Sequence, residues 1–155
     1  MYMITEPKIP NSNRGKLLTN MFTDQIFEPK VNCRHIVTVK NSTTDDMLLP
    51  TWVIKTISIP SFTYNWLGFK KYNTLKMELY NPVVPSSTQA VHDMLNKKCN
   101  INIRILGPIG DNVEEWDIYN AKIKSVKFDD YDWSKTGDPN LVYLEFKISD
   151  VKFRY

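Results

Sequence analysis

Alternation with a period of two constrains this chain more than any other feature. Leu75, Met77 and Leu79 are interleaved with Lys76, Glu78 and Tyr80. Ile101, Ile103 and Ile105 recur on one face of 100–106, and Leu144, Phe146 and Ile148 on one face of the final stretch, 141–155. Successive side chains of a strand point to opposite sides, so such segments are strands with one face on a core. Further strand-like stretches are 33–40, 51–59, 69–80 and 114–128. The last is a long strand or a bent pair holding Trp116, Ile118, Ala121, Ile123, Val126 and Phe128. After Ile148 the apolar set moves to Val151, Phe153 and Tyr155, a change of phase that predicts a bulge at 149–150.

One segment breaks the pattern. Pro82 and Pro85 precede Ser86, Ser87 and Thr88, whose hydroxyls suit a helix N-cap. Ala90, Val91, Met94 and Leu95 then form one apolar face, which predicts a helix over 86–97 with Lys97 and Lys98 in its last turn. Polar or Gly/Pro-rich turns fall at 41–46, 60–68, 107–112 and 129–140. The fold class that follows is mainly β, an antiparallel sandwich or barrel of about six or seven strands with the helix over an open end. Residues 1–30 differ: Pro7, Pro10 and Pro29 bracket a polar run, and Leu17, Leu18, Met21, Phe22 and Ile26 fall at helical spacing. They read as an N-terminal arm with a short helix that docks on the body or on a neighbouring copy, leaving 31–155 as a single domain.

A chain of 155 residues with 42% hydrophobic residues can bury its own core. No apolar run approaches the ~18–20 residues of a transmembrane helix, so no membrane span is expected. Residues 1–7 lack a basic stretch followed by an apolar one, so no secretory signal is expected either. The net charge is +3, with both signs interspersed, which is weak support for nucleic-acid binding. Cys33 and Cys99 are too few for a disulfide framework and read as two reduced, mostly buried thiols.

Tests for chemistry return little. Cys33 and His35 could be half a zinc site, but no second pair completes it. Asp129, Asp130 and Asp132 lack the glycine and closing glutamate of a calcium loop. Glu114 and Glu115 have no partner spacing for acid–base work, and there is neither a phosphate-binding glycine loop nor a nucleophile elbow. No enzyme, cofactor or metal site is expected. Lys70 and Lys71 beside Phe69 and Tyr72 keep open a single-stranded nucleic-acid-binding β-barrel module.

The order of features resembles the tail tube proteins of contractile-tailed bacteriophages, whose fold is shared by type VI secretion and contractile injection system tubes. The phrases that carry it are Ile57-Ser58-Ile59-Pro60, Val84-Pro85-Ser86-Ser87-Thr88-Gln89-Ala90-Val91-His92-Asp93-Met94-Leu95, and Ile105-Leu106-Gly107-Pro108 followed by Glu115-Trp116-Asp117-Ile118-Tyr119. It covers roughly 31–155 and leaves the arm out. The resemblance implies a structural protein that forms six-membered rings, stacked into the hollow tube through which DNA passes without specific binding. It implies itself, a tail sheath protein, and baseplate and tail-terminator proteins as partners, in a virion tail assembled in the host cytoplasm. A baseplate tube-initiator or cap of the same fold is the close variant. Apolar loops are unusual unless covered. Met47, Leu48, Leu49, Phe62, Tyr64, Trp66 and Leu67, with Leu17, Leu18 and Phe22 of the arm, are therefore the expected subunit and ring contacts.

Overall fold

The computed structural model describes residues 33–155; the arm and its expected helix, with Leu17, Leu18 and Phe22, lie outside the described residues. The described part is mainly β. Its strands are β1 (His35–Asn41), β2 (Met47–Leu49), β3 (Ile54–Ile57), β4 (Phe62–Tyr64), β5 (Lys70–Tyr72), β6 (Leu75–Tyr80), β7 (Cys99–Leu106), β8 (Asn112–Phe128), β9 (Leu141–Lys147) and β10 (Asp150–Arg154). One α-helix, α1 (Ser87–Met94), lies between β6 and β7.

All strand pairings are antiparallel, and the ladder order is β2-β1-β7-β8-β9-β6-β3, with β10 also on β8. The ladder divides into two sheets that share β8. The N-terminal half of β8 pairs with β7 and β10 in the first sheet, beside β1 and β2. Its C-terminal half pairs with β9 in the second sheet, beside β6 and β3. The switch sits at Asn120, which has φ 53° and holds an irregularity in the pairing with β7. Asparagine enters the left-handed region more readily than most residues. Asn100 Oδ1 accepts from the Asn120 amide at 3.1 Å, and the Ser42 hydroxyl donates to Asn120 Oδ1 at 2.8 Å.

The change of phase after Ile148 has its cause here. β9 and β10 run along the same flank of β8: Lys147 stands opposite Lys122 and Asp150 opposite Tyr119. The register is therefore kept across 148–149, where a bulge was expected. Both members of the ribbon change phase together, because both leave one sheet and enter the other. Below the break Trp116 and Ile118 meet Phe153 and Val151; above it Ile123 and Val126 meet Phe146 and Leu144.

The inward faces make one core. Val37, Val39, Ile101, Ile103 and Ile118 come from the first sheet, and Leu75, Met77, Leu79, Val142, Leu144 and Phe146 from the second. The helix covers the core with Val91 and Met94 and lies against β2. The Ser86 hydroxyl accepts from the Gln89 amide at 3.4 Å, as an N-cap does, and Ser87 Oγ donates to the Tyr80 carbonyl at 2.6 Å. The helix stops at Met94, short of the expected 97, in a tight turn closed by Lys97 N donating to the Met94 carbonyl. Lys97 and Lys98 thus fall beyond it.

Three expected elements are cut differently. Thr51–Val53 is a single 3₁₀ turn after Pro50, so the second long strand is only Ile54–Ile57. The stretch 69–80 splits at Asn73, whose amide and side chain donate to Ser61 and so close a separate hairpin of β4 and β5. Met47–Leu49 is a strand on β1 where a loop was expected.

The two thiols differ. Cys33 is exposed, against expectation, and Cys99 is fully buried. Burial pushes the Cys99 thiol from 9.0 up to about 11, because the thiolate loses its water, and nearby Lys97 offsets part of that. In native protein a thiol reagent should therefore modify Cys33 quickly and Cys99 only after unfolding. The unfolded thiol ionises first as pH rises past 9.0, so folding stability should fall between 9.0 and about 11. Denaturant titrations should show that part of the fall missing from Cys99→Ala. Rapid modification of both thiols would contradict the burial.

Candidate assembly surfaces

The β4–β5 hairpin leaves the end of the second sheet where β3 finishes and β6 begins. It is held at its root by Asn73 and Ser61 and by Tyr72 packing on the core. Register places Phe62 opposite Tyr72 and Tyr64 opposite Lys70 on one face. Lys70 Nζ stands 3.9 Å from the Phe62 ring centre and 4.8 Å from that of Tyr72. Such cation–π contacts contribute about 0.5–1 kcal/mol at exposed sites.

The tip is built rather than loose. Asn65 Oδ1 accepts from the amides of Leu67 (3.1 Å) and Phe69 (2.8 Å). The Asn65 amide donates to the Phe69 carbonyl, and Gly68 N to the Asn65 carbonyl. Gly68 makes the turn at φ 79°, where a side chain would be strained. This frame holds Trp66 in solvent at 91% exposure, with Leu67 and Phe69 also exposed. Ordered aromatic groups facing water mark a surface that gains by being covered.

A second exposed apolar group lies at the opposite end of the same sheet. There β6 finishes, β9 begins and β8 finishes, as the pairs Tyr80–Leu141 and Phe128–Val142 show. Val83 and Val84 follow β6, and Tyr131 and Trp133 sit in the 129–140 loop; all four are exposed, Trp133 completely (101%). Asn81 ties the two loops together. Its amide donates to the Asn140 carbonyl at 3.0 Å and its Nδ2 to Asn140 Oδ1 at 3.1 Å.

The two ends differ in charge. The hairpin 61–73 carries Lys70 and Lys71 and no acid; the 129–140 loop carries Asp129, Asp130, Asp132 and Asp138 against Lys135 alone. Asp132 accepts from the Ser134 amide (2.9 Å) and hydroxyl (2.7 Å), and these bonds hold its carboxyl below the ordinary range. Asp132 therefore holds its charge to lower pH than an ordinary aspartate does.

The second sheet also has two open flanks among the described residues. β3 ends the ladder, and the C-terminal half of β8 pairs only with β9. Unpaired strand flanks present donors and acceptors to any further strand.

Of the expected contact residues, Met47, Phe62, Tyr64, Trp66 and Leu67 are exposed, and the last four share the hairpin. Leu48 is half-buried against the core. Leu49 is wholly buried in the chain's own core and leaves no surface for a partner, because β2 pairs with β1 and turns Leu49 inward opposite Val39. Sequence reasoning missed Val83, Val84, Tyr131 and Trp133. Their signal is the same, apolar residues in turn-rich segments.

The other chemical candidates separate. Strand alternation puts Glu114 inside, accepting from Trp116 Nε1 at 2.7 Å, and Glu115 outside, accepting from Asn102 at 2.6 Å. Among the described residues no three His, Cys, Asp or Glu side chains gather as a metal cage.

This fold, two sheets sharing one long strand with a capping helix and a protruding hairpin, is shared with solved tail-tube, Hcp and contractile injection system proteins. The chain is similar to a chain of the anti-feeding prophage baseplate, six-fold symmetrised, at 16% identity and TM-score 0.60 over 82% of this chain and 96% of that one. It is similar to a chain of the PVC extracellular contractile injection system, sheath–tube complex in the extended state, at 14% identity and TM-score 0.59 over 88% and 96%. It is also similar to the SPP1 tail tube, at 10% identity and TM-score 0.58 over 81% and 79%. No protein-family model matches the chain, and no curated protein matches it in sequence.

Because the hairpin forms its own small sheet, its tip should fail alone. Gly68→Val places a β-branched residue at φ 79°, a local cost of about 1–3 kcal/mol. Hydrogen exchange should show faster amides at 67–69 with unchanged protection in β6 and β9. Equal loss in those strands would show that the hairpin is not independent.

Proposed function

We propose that the chain is a structural, non-catalytic tube subunit. Residues 31–155 form the ring-building domain, and the arm 1–30 docks on the body or on a neighbouring copy. Six copies join side by side through the second sheet, and rings stack into a hollow tail tube that delivers DNA. The observation that carries this reading is the pair of open flanks on a four-stranded antiparallel sheet. β3, β6, β9 and the C-terminal half of β8 alternate in direction. The β8 flank of one copy can therefore meet β3 of the next with the alternation unbroken. A heterologous contact of this kind closes when its rotation permits, and closure removes the edges. The six-fold symmetrised baseplate among the similar structures supports six copies.

Stacking follows from the two ends of that sheet. The basic aromatic hairpin of one ring fits the acidic aromatic end of the ring beyond it, with opposite charges fixing the polarity of the stack. A surrounding sheath, a baseplate and a terminator would be its partners, and a virion tail assembled in the host cytoplasm its place. The sheath–tube complex among the similar structures supports the sheath contact. A second reading, a tube-initiator or cap ring of the same fold, is favoured by the baseplate chain among them.

Negative-stain electron microscopy with light scattering tests the assembly. The wild-type chain should give tubes or rings of uniform diameter. Lys70→Glu with Lys71→Glu should stop stacking at single rings, as should Asp130→Lys with Asp132→Lys. The four changes together should restore tubes. Undiminished tubes from either pair alone would refute the stacking contact.

A further inference from the structure

The outward face of the second sheet carries an excess of positive charge. Lys76 of β6, Lys147 of β9, and Lys122 and Lys127 of β8 point away from the core, as their alternation with buried neighbours requires. Lys55 joins them at the irregular start of β3, reaching Glu78 at 3.6 Å. Glu78 and Glu145 are the acids on this face, so five lysines stand against two glutamates.

One glutamate is engaged in an ion pair and the other faces a lysine of this same group. Glu78 faces Lys55, and Glu145 stands opposite Lys76 in the ladder. The partners left to the others are not anionic: Lys127 stands opposite Tyr143, and Lys122 directly opposite Lys147. Like charges directly across a sheet destabilise it. The outward face of the first sheet shows the contrast. There Arg154 meets Asp117 at 2.8 Å, Lys40 meets Asp45 at 2.8 Å, and Arg104 stands opposite Glu115.

We infer that this face binds nucleic acid through its phosphates, without regard to base sequence. Lysine is depleted at protein interfaces, and this face carries no large aliphatic side chain to seat a folded protein. A polyanion needs neither. Lys122 and Lys147 stand directly opposite each other on neighbouring strands about 4.8 Å apart, and Lys127, Lys76 and Lys55 spread positive charge over the rest of the face. Lysine ammonium groups act as point charges and carry no fork geometry for reading bases. Only the location of the face in a tube lumen rests on the ring reading above. If that reading holds, the lumen grips DNA electrostatically and lets it slide, where an uncharged wall would only admit it.

The test uses the full chain, kept below its assembly concentration, and a short labelled double-stranded DNA of arbitrary sequence. With about three phosphates neutralised per copy, affinity should fall ~40-fold between about 50 mM and about 200 mM salt. Lys147→Glu removes the like-charge pair and two units of positive charge, so it should weaken binding at least ~10-fold while leaving the fold intact or firmer. Lys152→Glu makes the same charge change on the first sheet and should leave binding nearly unchanged. Equal loss in both variants would overturn the assignment to this face. Polyglutamate binding as tightly as DNA at equal salt would overturn nucleic acid in favour of an acidic protein. Microscopy of the same samples at high concentration separates the two ideas. Tubes without face-dependent DNA binding sink this inference alone, and face-dependent binding without rings sinks only the ring reading.

Discussion

Everything in this fold depends on one shared change of phase. At Asn120 on β8, and at 148–149 on its partner, the ribbon of β8 with β9 and β10 leaves one sheet and enters the other. If only one strand changed phase, half of the ribbon would turn its apolar set to water, since a slip of one residue inverts every side chain. Because both change together, Ile118 and Val151 face the core on one side of the break, as Ile123 and Phe146 do on the other. The left-handed conformation at Asn120 is held by Asn100 and Ser42, from β7 and from the turn after β1. The junction is thus tied to the first sheet by side chains as well as by its ladder.

This arrangement separates folding from assembly. The core is closed by inward faces of both sheets and by Val91 and Met94 of the helix. The surfaces proposed for assembly lie elsewhere: a hairpin in its own two-stranded sheet, loops at the far end, and flanks that no described strand occupies. Two-stranded hairpins are marginal alone. Here one is held by a hydrogen-bonded tip, a cation over two rings and a root on Tyr72. The tip backbone is therefore ordered before docking, which lowers the entropy lost on covering it.

Much of the fold was legible in the sequence. The alternation at 75–80, 100–106 and 141–147 marked strands that the structure contains, and the serine-capped helix begins where its hydroxyls place it. The phase change after Ile148 was visible too, but its meaning was not. A bulge and a strand changing sheets leave the same mark in one strand, and only the register with β8 distinguishes them. Met47–Leu49 was misread because three residues carry too little period to separate a strand from an apolar loop. The hairpin aromatics were legible as apolar residues in a turn. The far-end group was not, because Val83 and Trp133 are remote in sequence and reach one end of the sheet only through the pairing of β6 with β9. The lysine-rich face was invisible for the same reason: its members sit on four strands, and whole-chain charge averages them with the balanced first sheet.

The length of β8 has a mechanical consequence. Its 17 residues run through both sheets and are flanked by β7 and β10 in one and by β9 in the other. Ladder hydrogen bonds in an antiparallel pair lie perpendicular to the strand. A pull along β8 therefore loads its whole row of bonds in shear, at once and in both sheets, instead of peeling them one at a time. The strand that joins the two halves of the domain is also its tension member. A particle that drives such a subunit lengthwise would strain its connecting loops before it strained its core.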